Sequence, residues 1–319
     1  MPMTALKGLR FHYQQKGDGE DVVLLHAVTS NMSMWLFSNL MDVIAQDFRV
    51  TAYDLRGHGA SDVPASGYTS ADMAQDLHDL YRALKLGPAV LVGHSFGAVV
   101  AMHAAVLFPD IVRGLILSDP YFPGLAHLEP NLAEMQAWRD VRDALVGAGV
   151  ALDEEINFTQ LFWSVAALTS TQKEHIGRIM GESSLRWLSQ LPRLAPTTCG
   201  RDVFAPAGLS AERICEVRQP VVALYDEHTS FQATRKFLQT NLSNIQVEIV
   251  PGARHVAPLQ NTAAFVQLVQ KYSRALHGQV LVPSSVPRES VLIKADAEVI
   301  DENGPGLRLG KPTNQESRK

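Results

Sequence analysis

Five residues, Gly93-His94-Ser95-Phe96-Gly97, constrain this chain more than any other stretch. They follow Ala89-Val90-Leu91-Val92, an apolar run of strand length, and lead into Ala98-Val99-Val100-Ala101-Met102, which opens a helical pattern. A strand turns into a helix this abruptly when small residues stand two before and two after the turning residue. Such a turn leaves Ser95 Oγ exposed above the sheet. It also aims the Phe96 N–H, in the first turn of the helix, at negative charge developing nearby. The stretch therefore predicts a serine nucleophile with one oxyanion donor beside it.

Around that turn the chain alternates strands and helices. Phe11 to Gln15 and Val22-Val23-Leu24-Leu25 read as the first strands, with Gly17-Asp18-Gly19 as the turn between them, and Arg49 to Tyr53 as another. From Ser70 to Leu86 the apolar positions Met73, Leu77, Leu80, Tyr81 and Leu84 share one helical face, with Ser70 as N-cap. Ile111 to Leu117 is a strand ending in Ser118-Asp119-Pro120. The strand pattern resumes with Pro220 to Tyr225 and the alternating Ile245 to Val250, then a closing helix over Ala264 to Leu276. This order predicts an α/β fold with a doubly wound, mostly parallel sheet. Ligands of such sheets bind outside the carboxyl ends of the strands, where His26, Ser95, Asp119 and Asp226 all fall. Between the two halves of the sheet, Leu132 to Leu145, Phe158 to Leu168, Thr171 to Met180 and Ser184 to Leu191 read as helices.

Three further segments are specific. His26-Ala27-Val28-Thr29-Ser30-Asn31, closing at Trp35, resembles the H-G-x loop of the α/β-hydrolase superfamily, with Ala27 in the usual glycine position. Asp54-Leu55-Arg56-Gly57-His58-Gly59-Ala60-Ser61 resembles that superfamily's D-x-R-G-H-G-x-S segment. Pro251-Gly252-Ala253-Arg254-His255 resembles the loop that delivers its catalytic histidine, with Arg254 where glycine is common. The resemblance spans residues 10 to 276. It implies an α/β-hydrolase core over residues 1–120 and 219–276, an inserted helical cap over 121–218, and a tail extension over 277–319. It also implies Ser95 as nucleophile, His255 as general base, and the N–H groups of Val28 and Phe96 as the oxyanion hole. His26 reads first as a pin for its own loop, but its strand-end position keeps it among the candidate substrate contacts. The others are the cap aromatics Trp138, Trp163 and Trp187, with Phe162 beside them.

The acid departs from the family pattern. Its usual loop position, after Val221 to Tyr225, aligns with Thr229 in Asp226-Glu227-His228-Thr229. Asp119 ends the strand after the elbow helix, where some haloalkane dehalogenases and zearalenone-type lactonases carry their acid. Asp226 and Glu227 are the alternatives. A histidine takes a serine proton efficiently when a carboxylate holds its tautomer, so the choice matters. Asp119 is the expected acid.

Composition removes other classes. A net charge of −5 carries no footprint for nucleic acid or an anionic membrane. The most apolar stretch, Gly97 to Phe108, is too short to span a bilayer, and Met1 to Arg10 lacks the apolar run of a signal peptide. Cys199 and Cys215 show neither metal-ligand nor disulfide spacing and read as packing residues in a reducing compartment. The expectation is a cytoplasmic protein with a small-molecule substrate, no metal and no organic cofactor. The Pro-, Gly- and Ser-rich tail is expected to lie disordered or along the surface. Within it, Val280-Leu281-Val282 and Ser290 to Ile293 are candidates for edge strands or for contact with a second copy in a homodimer. The expected function is a serine hydrolase cleaving an ester, thioester or lactone bond of a small, largely apolar substrate through an acyl-enzyme. A carbon–carbon bond hydrolase using the same triad, and a non-hydrolytic ligand-binding or lyase member, are the competing expectations. Serine at the elbow argues against haloalkane dehalogenase or epoxide hydrolase chemistry, which use aspartate there.

Overall fold

A computed structural model describes residues 2–181, 185 and 187–278. Strands β1 (Met3–Leu6), β2 (Leu9–Lys16), β3 (Asp21–Leu25), β4 (Arg49–Tyr53), β5 (Ala89–His94), β6 (Val112–Ser118), β7 (Val221–Asp226) and β8 (Ile245–Val250) form one sheet. Its order is β1-β2-β4-β3-β5-β6-β7-β8. All pairs from β4 through β8 are parallel, whereas β1 and β2 are antiparallel at one edge. This is the α/β-hydrolase fold. The chain direction across the sheet reverses between β3 and β5, so the loops after those two strands face each other across the switch point.

Strands β3, β5 and β7 are buried along their whole length, as a parallel sheet covered on both faces requires. Alternate residues feed two apolar layers. Val23, Leu25, Leu91, Leu115 and Ala223 pack on the face of helices α3 (Ser70–Leu84) and α4 (Phe96–Leu107). Val22, Leu24, Val90, Val92 and Val222 pack on the other, with the short helices α1 (Ser33–Phe37) and α2 (Leu40–Ile44) and the closing helix Thr262–Gly278. There Trp35 stacks on Phe265 with ring centroids 6.4 Å apart.

Local details differ from the expectation where tertiary pairing decides. Residues 17–19 do not close a hairpin, because β4 lies between β2 and β3. Gly17 instead lets the chain pass the Phe48 carbonyl, which a Cβ would approach to 2.2 Å. The helix N-cap is Thr69, whose side chain and that of Asp72 form a reciprocal capping box; Ser70 is already helical, and its Oγ pairs with His103 Nδ1 at 2.9 Å. Strand β1 is an addition, tied to β2 by a Lys7-Gly8 turn with both residues at positive φ.

Between β6 and β7 the chain forms α5 (Gln136–Gly147), α6 (Phe158–Ala166) and α7 (Ser170–Met180), close to the expected helices. The expected helix over 184–191 falls partly outside the described residues, and the tail segments 280–282 and 290–293 fall wholly outside them. Among the described residues no helix is long and apolar enough to cross a membrane.

Candidate active site

The turn at Ser95 has the geometry its glycines foreshadow. Ser95 lies at φ 51, ψ −117, its N–H donates to the Ser118 carbonyl at 2.8 Å, and its own carbonyl accepts from Ala98 N–H as α4 begins. A Cβ on Gly93 would come within 2.4 Å of the Gly97 carbonyl, and one on Gly97 within 2.3 Å of the Leu25 carbonyl. Glycine at both positions is therefore a steric requirement. Phe96 is the first residue of α4, so its N–H has no acceptor within the helix.

The facing loop is pinned by two neutral histidines. His26 is fully buried; its Nδ1–H donates to Ala27 O at 2.8 Å and its Nε2 accepts Leu55 N–H at 2.9 Å. His58 Nδ1–H donates to Arg56 O, and its Nε2 accepts Thr29 N–H at 3.2 Å. Asp54 adds a bond from Met32 N–H. Burial lowers both histidine pKa values, His58 to about 3, so both remain acceptors. Ala27 is not among the residues at positive φ, so this loop has no conformational need for glycine there. Thr29 and Ser30 N–H are engaged, by His58 and by Ala27 O respectively, which leaves Val28 as the residue of the turn whose N–H is uncommitted to those bonds.

Asp119 and His255 meet. His255 Nδ1 and Asp119 Oδ2 are 2.7 Å apart, and Asp119 is wholly buried at the end of β6. The carboxylate accepts from Nδ1–H, which leaves Nε2 with its lone pair. Burial works against a charged imidazole, but the hydrogen bond and charge of Asp119, with Asp226 beyond it, outweigh it. The His255 pKa is raised above its ordinary 6.5. Phe231 stands edge-on to the His255 ring at 5.4 Å, and Tyr121 packs on Phe231 at 5.7 Å.

The alternative acids are occupied otherwise. Asp226 Oδ2 accepts the backbone N–H of His255 at 2.6 Å and of Ala257 at 3.2 Å; its carboxylate addresses the backbone of the histidine loop, with Asp119 on the ring. Glu227 Oε2 accepts Gly252 N–H at 2.7 Å. Thr229, in the family's usual acid position, accepts Phe231 N–H at 3.0 Å and closes its own loop.

The expected substrate contacts divide. His26 has no surface to offer, and backbone groups occupy both its ring nitrogens, so it is a loop pin and not the substrate contact expected. Trp138 is also corrected: it is buried, with Nε1–H donating to Glu154 O at 3.1 Å and its ring near Phe158. Trp163 is 56% exposed, which directs most of its ring to solvent. Trp187 alone of the three reaches the loop after β3, through Nε1–H to Thr29 Oγ1 at 3.3 Å. Sequence reasoning did not give Phe231 or His94 a place here. His94, inside the elbow motif, donates from Nε2–H to the His255 carbonyl at 2.6 Å. No cluster of three or more His, Cys, Asp or Glu side chains suited to a metal occurs among the described residues.

The model of the alpha/beta hydrolase family matches residues 22–268. A 2-(acetamidomethylene)succinate hydrolase of Mesorhizobium japonicum is 30% identical over 257 residues, covering 77% of this chain and 85% of the relative. A putative 2-succinyl-6-hydroxy-2,4-cyclohexadiene-1-carboxylate synthase of Bacillus subtilis is 26% identical over 278 residues, covering 85% and 97%. Among solved structures, Est816, described as an N-acyl homoserine lactone degrading enzyme, matches with a TM-score of 0.60 at 22% identity, over 85% of this chain and 100% of that one. A thermophilic esterase from Thermogutta terrifontis matches at 0.61 and 22%, over 86% and 97%. These structural matches, at such identity, speak for the fold.

Proposed function

The chain belongs to the alpha/beta hydrolase family, and from that premise we propose that it is a serine hydrolase acting through Ser95, His255 and Asp119 on an ester, thioester or lactone of a small, largely apolar substrate. The observation that carries the proposal is the 2.7 Å contact between His255 Nδ1 and the wholly buried Asp119 carboxylate, beside a serine held in an elbow turn. In this reading Ser95 Oγ attacks the carbonyl carbon while His255 Nε2 takes its proton. The C–O or C–S bond to the leaving group breaks as His255 returns that proton to it. Water then attacks the acyl-enzyme by the same route in reverse. Phe96 and Val28 N–H stabilise the tetrahedral oxyanion, a donor of this kind lowering the barrier by about 3–4 kcal/mol. Asp119 holds the tautomer and offsets the imidazolium charge.

The helices between β6 and β7 are proposed as the cap over this site. The bond from Trp187 to Thr29, one residue from Val28, supports that placement. Named relatives that are an esterase and a lactone-degrading enzyme bring esters and lactones to the front of the substrate panel.

Intact mass after incubation with a fluorophosphonate tests the proposal. A single adduct, absent from Ser95→Ala, is the expected result. A folded wild-type protein that takes up no adduct would refute an activated serine and turn attention to ligand binding without turnover.

A further inference from the structure

Two buried polar side chains at the site have no part in the acyl-transfer steps, and both address the backbone of one residue. Asp226, at the end of β7, accepts the His255 N–H at 2.6 Å. His94, at the end of β5, donates to the His255 carbonyl at 2.6 Å. Both are almost wholly inaccessible to solvent. Between them His255 sits at φ 94, a conformation that residues with a Cβ avoid. Such backbone costs about 1–3 kcal/mol and persists only where its surroundings over-determine it. Here N–H, carbonyl and ring are each held from a different strand end: β7, β5 and β6.

We propose that Asp226 and His94 form a backbone clamp that keeps His255 in its strained conformation, making Asp226 a positioning residue distinct from the acid Asp119. The inference rests on the Ser95–His255–Asp119 reading. Released from the clamp, His255 relaxes toward ordinary φ, and its ring leaves the 2.7 Å contact with Asp119 that orients it. The two aspartates are also linked through the backbone: Asp226 N–H donates to Asp119 Oδ1 at 3.3 Å, so the Asp119 carboxyl helps fix the end of β7 that carries Asp226.

Asp226 also acts on His255 by charge. The groups facing it are Asp119 from β6, His255 from the loop after β8, and His94 from β5 across the His255 carbonyl. Tyr225, its neighbour on β7, is itself kept protonated by burial and by Asp119. Burial, then the Asp119 charge, pushes Asp226 up to about 7. Whenever it ionises it joins Asp119 in favouring the imidazolium.

The test needs no known substrate. The second-order rate of Ser95 labelling by a fluorophosphonate, read by intact mass across pH, reports the free base of His255. Labelling of Asp226→Ala is expected to fall about 10²-fold, the usual effect of displacing a catalytic group by an ångström. Asp226→Asn, whose amide oxygen can still accept both N–H groups, should stay within about fivefold of wild type. Its acid limb should move to lower pH, because a charge favouring the imidazolium is gone, and a purely structural role would not move that limb. His94→Phe, which removes the donor to the carbonyl, should lose about tenfold. If Asp226→Ala does not fold, Asp226→Asn and His94→Phe decide. Wild-type labelling in Asp226→Ala, wild-type labelling in His94→Phe, or a loss in Asp226→Asn as deep as in Asp119→Asn would each overturn the clamp. Wild-type protein that fails to label at all refutes the serine reading first, and is thereby told apart from failure of the clamp.

Discussion

Ser95, Asp119 and His255 lie at φ 51, 45 and 94, so all three residues assigned to the chemistry occupy backbone that L-residues seldom adopt. At about 1–3 kcal/mol each, that strain is a sizeable fraction of a domain's net stability, and it is concentrated after β5, β6 and β8 at one edge of the sheet. What it achieves is direction: with the backbone so turned, the Asp119 carboxylate and the His255 ring meet at 2.7 Å. The residue whose loss separates the readings of the acid is Asp119. In Asp119→Asn the amide cannot offset an imidazolium charge and can present its N–H₂ to Nδ1, favouring the wrong tautomer, so labelling and turnover should fall about 10³–10⁴-fold. Asp226→Asn should change them only a few-fold. The opposite ranking, measured on the same substrate, would sink the assignment of Asp119 as the acid. Sequence reasoning could name both aspartates as strand-end residues and preferred Asp119 only through the resemblance, because the choice depends on which carboxylate faces a ring and which a peptide N–H. That is decided by the lateral order β5-β6-β7, which no local pattern encodes.

At the scale of elements, the elbow joins β5 to α4 through contacts that leave no room for a methyl group. Gly97 packs against the carbonyls of Leu25 and His26, so the second residue of α4 also sets the separation of α4 from the loop after β3. Gly97→Ala should therefore destabilise the fold by about 2–3 kcal/mol, in the range of overpacked cores. It should also slow Ser95 labelling, since the two proposed donors, Phe96 and Val28, would be forced apart. A urea midpoint equal to wild type would contradict the close approach. The strands and long helices are legible from sequence because their burial is periodic: β3, β5 and β7 are continuous apolar runs, and α3 carries one apolar stripe. The insertion is legible only as helices. A tryptophan that donates inward, like Trp138, and one that faces solvent, like Trp163, stand at helical positions that look alike in sequence. The Thr29 contact of Trp187 spans 158 residues and has no local signature.

Across the whole molecule the buried histidines set the response to acid. Burial holds His26, His58, His94 and His103 below the ordinary imidazole value of 6.5, with His58 at about 3 and His94 and His103 at about 4. Between those values and 6.5 the unfolded chain binds protons that the fold does not, so stability rises with pH through this window and is lost as pH falls through it. Asp226 acts in the opposite sense: its folded value of about 7 lies above 3.8, so its contribution weakens as pH rises from 3.8 toward 7. His255, raised above 6.5, also stabilises at low pH, and that contribution is lost only as pH rises past its folded value. Within the acid window four histidines therefore oppose two carboxyls, Asp226 and Asp76, both raised chiefly by burial, and by number the histidines prevail. The urea midpoint should fall steadily from pH 6.5 to pH 4.5. Two of the four, His26 and His58, accept the backbone bonds that fix the Val28 loop, so protonating them breaks the site and the fold together. Loss of labelling below pH 6 should accordingly have two parts. One is reversible at once on return to neutral pH, from protonation of His255. The other grows in parallel with unfolding measured by far-UV circular dichroism. A midpoint that is flat or rises on acidification would mean that these histidines are not held neutral by burial, and the pinning of the Val28 loop would need another cause.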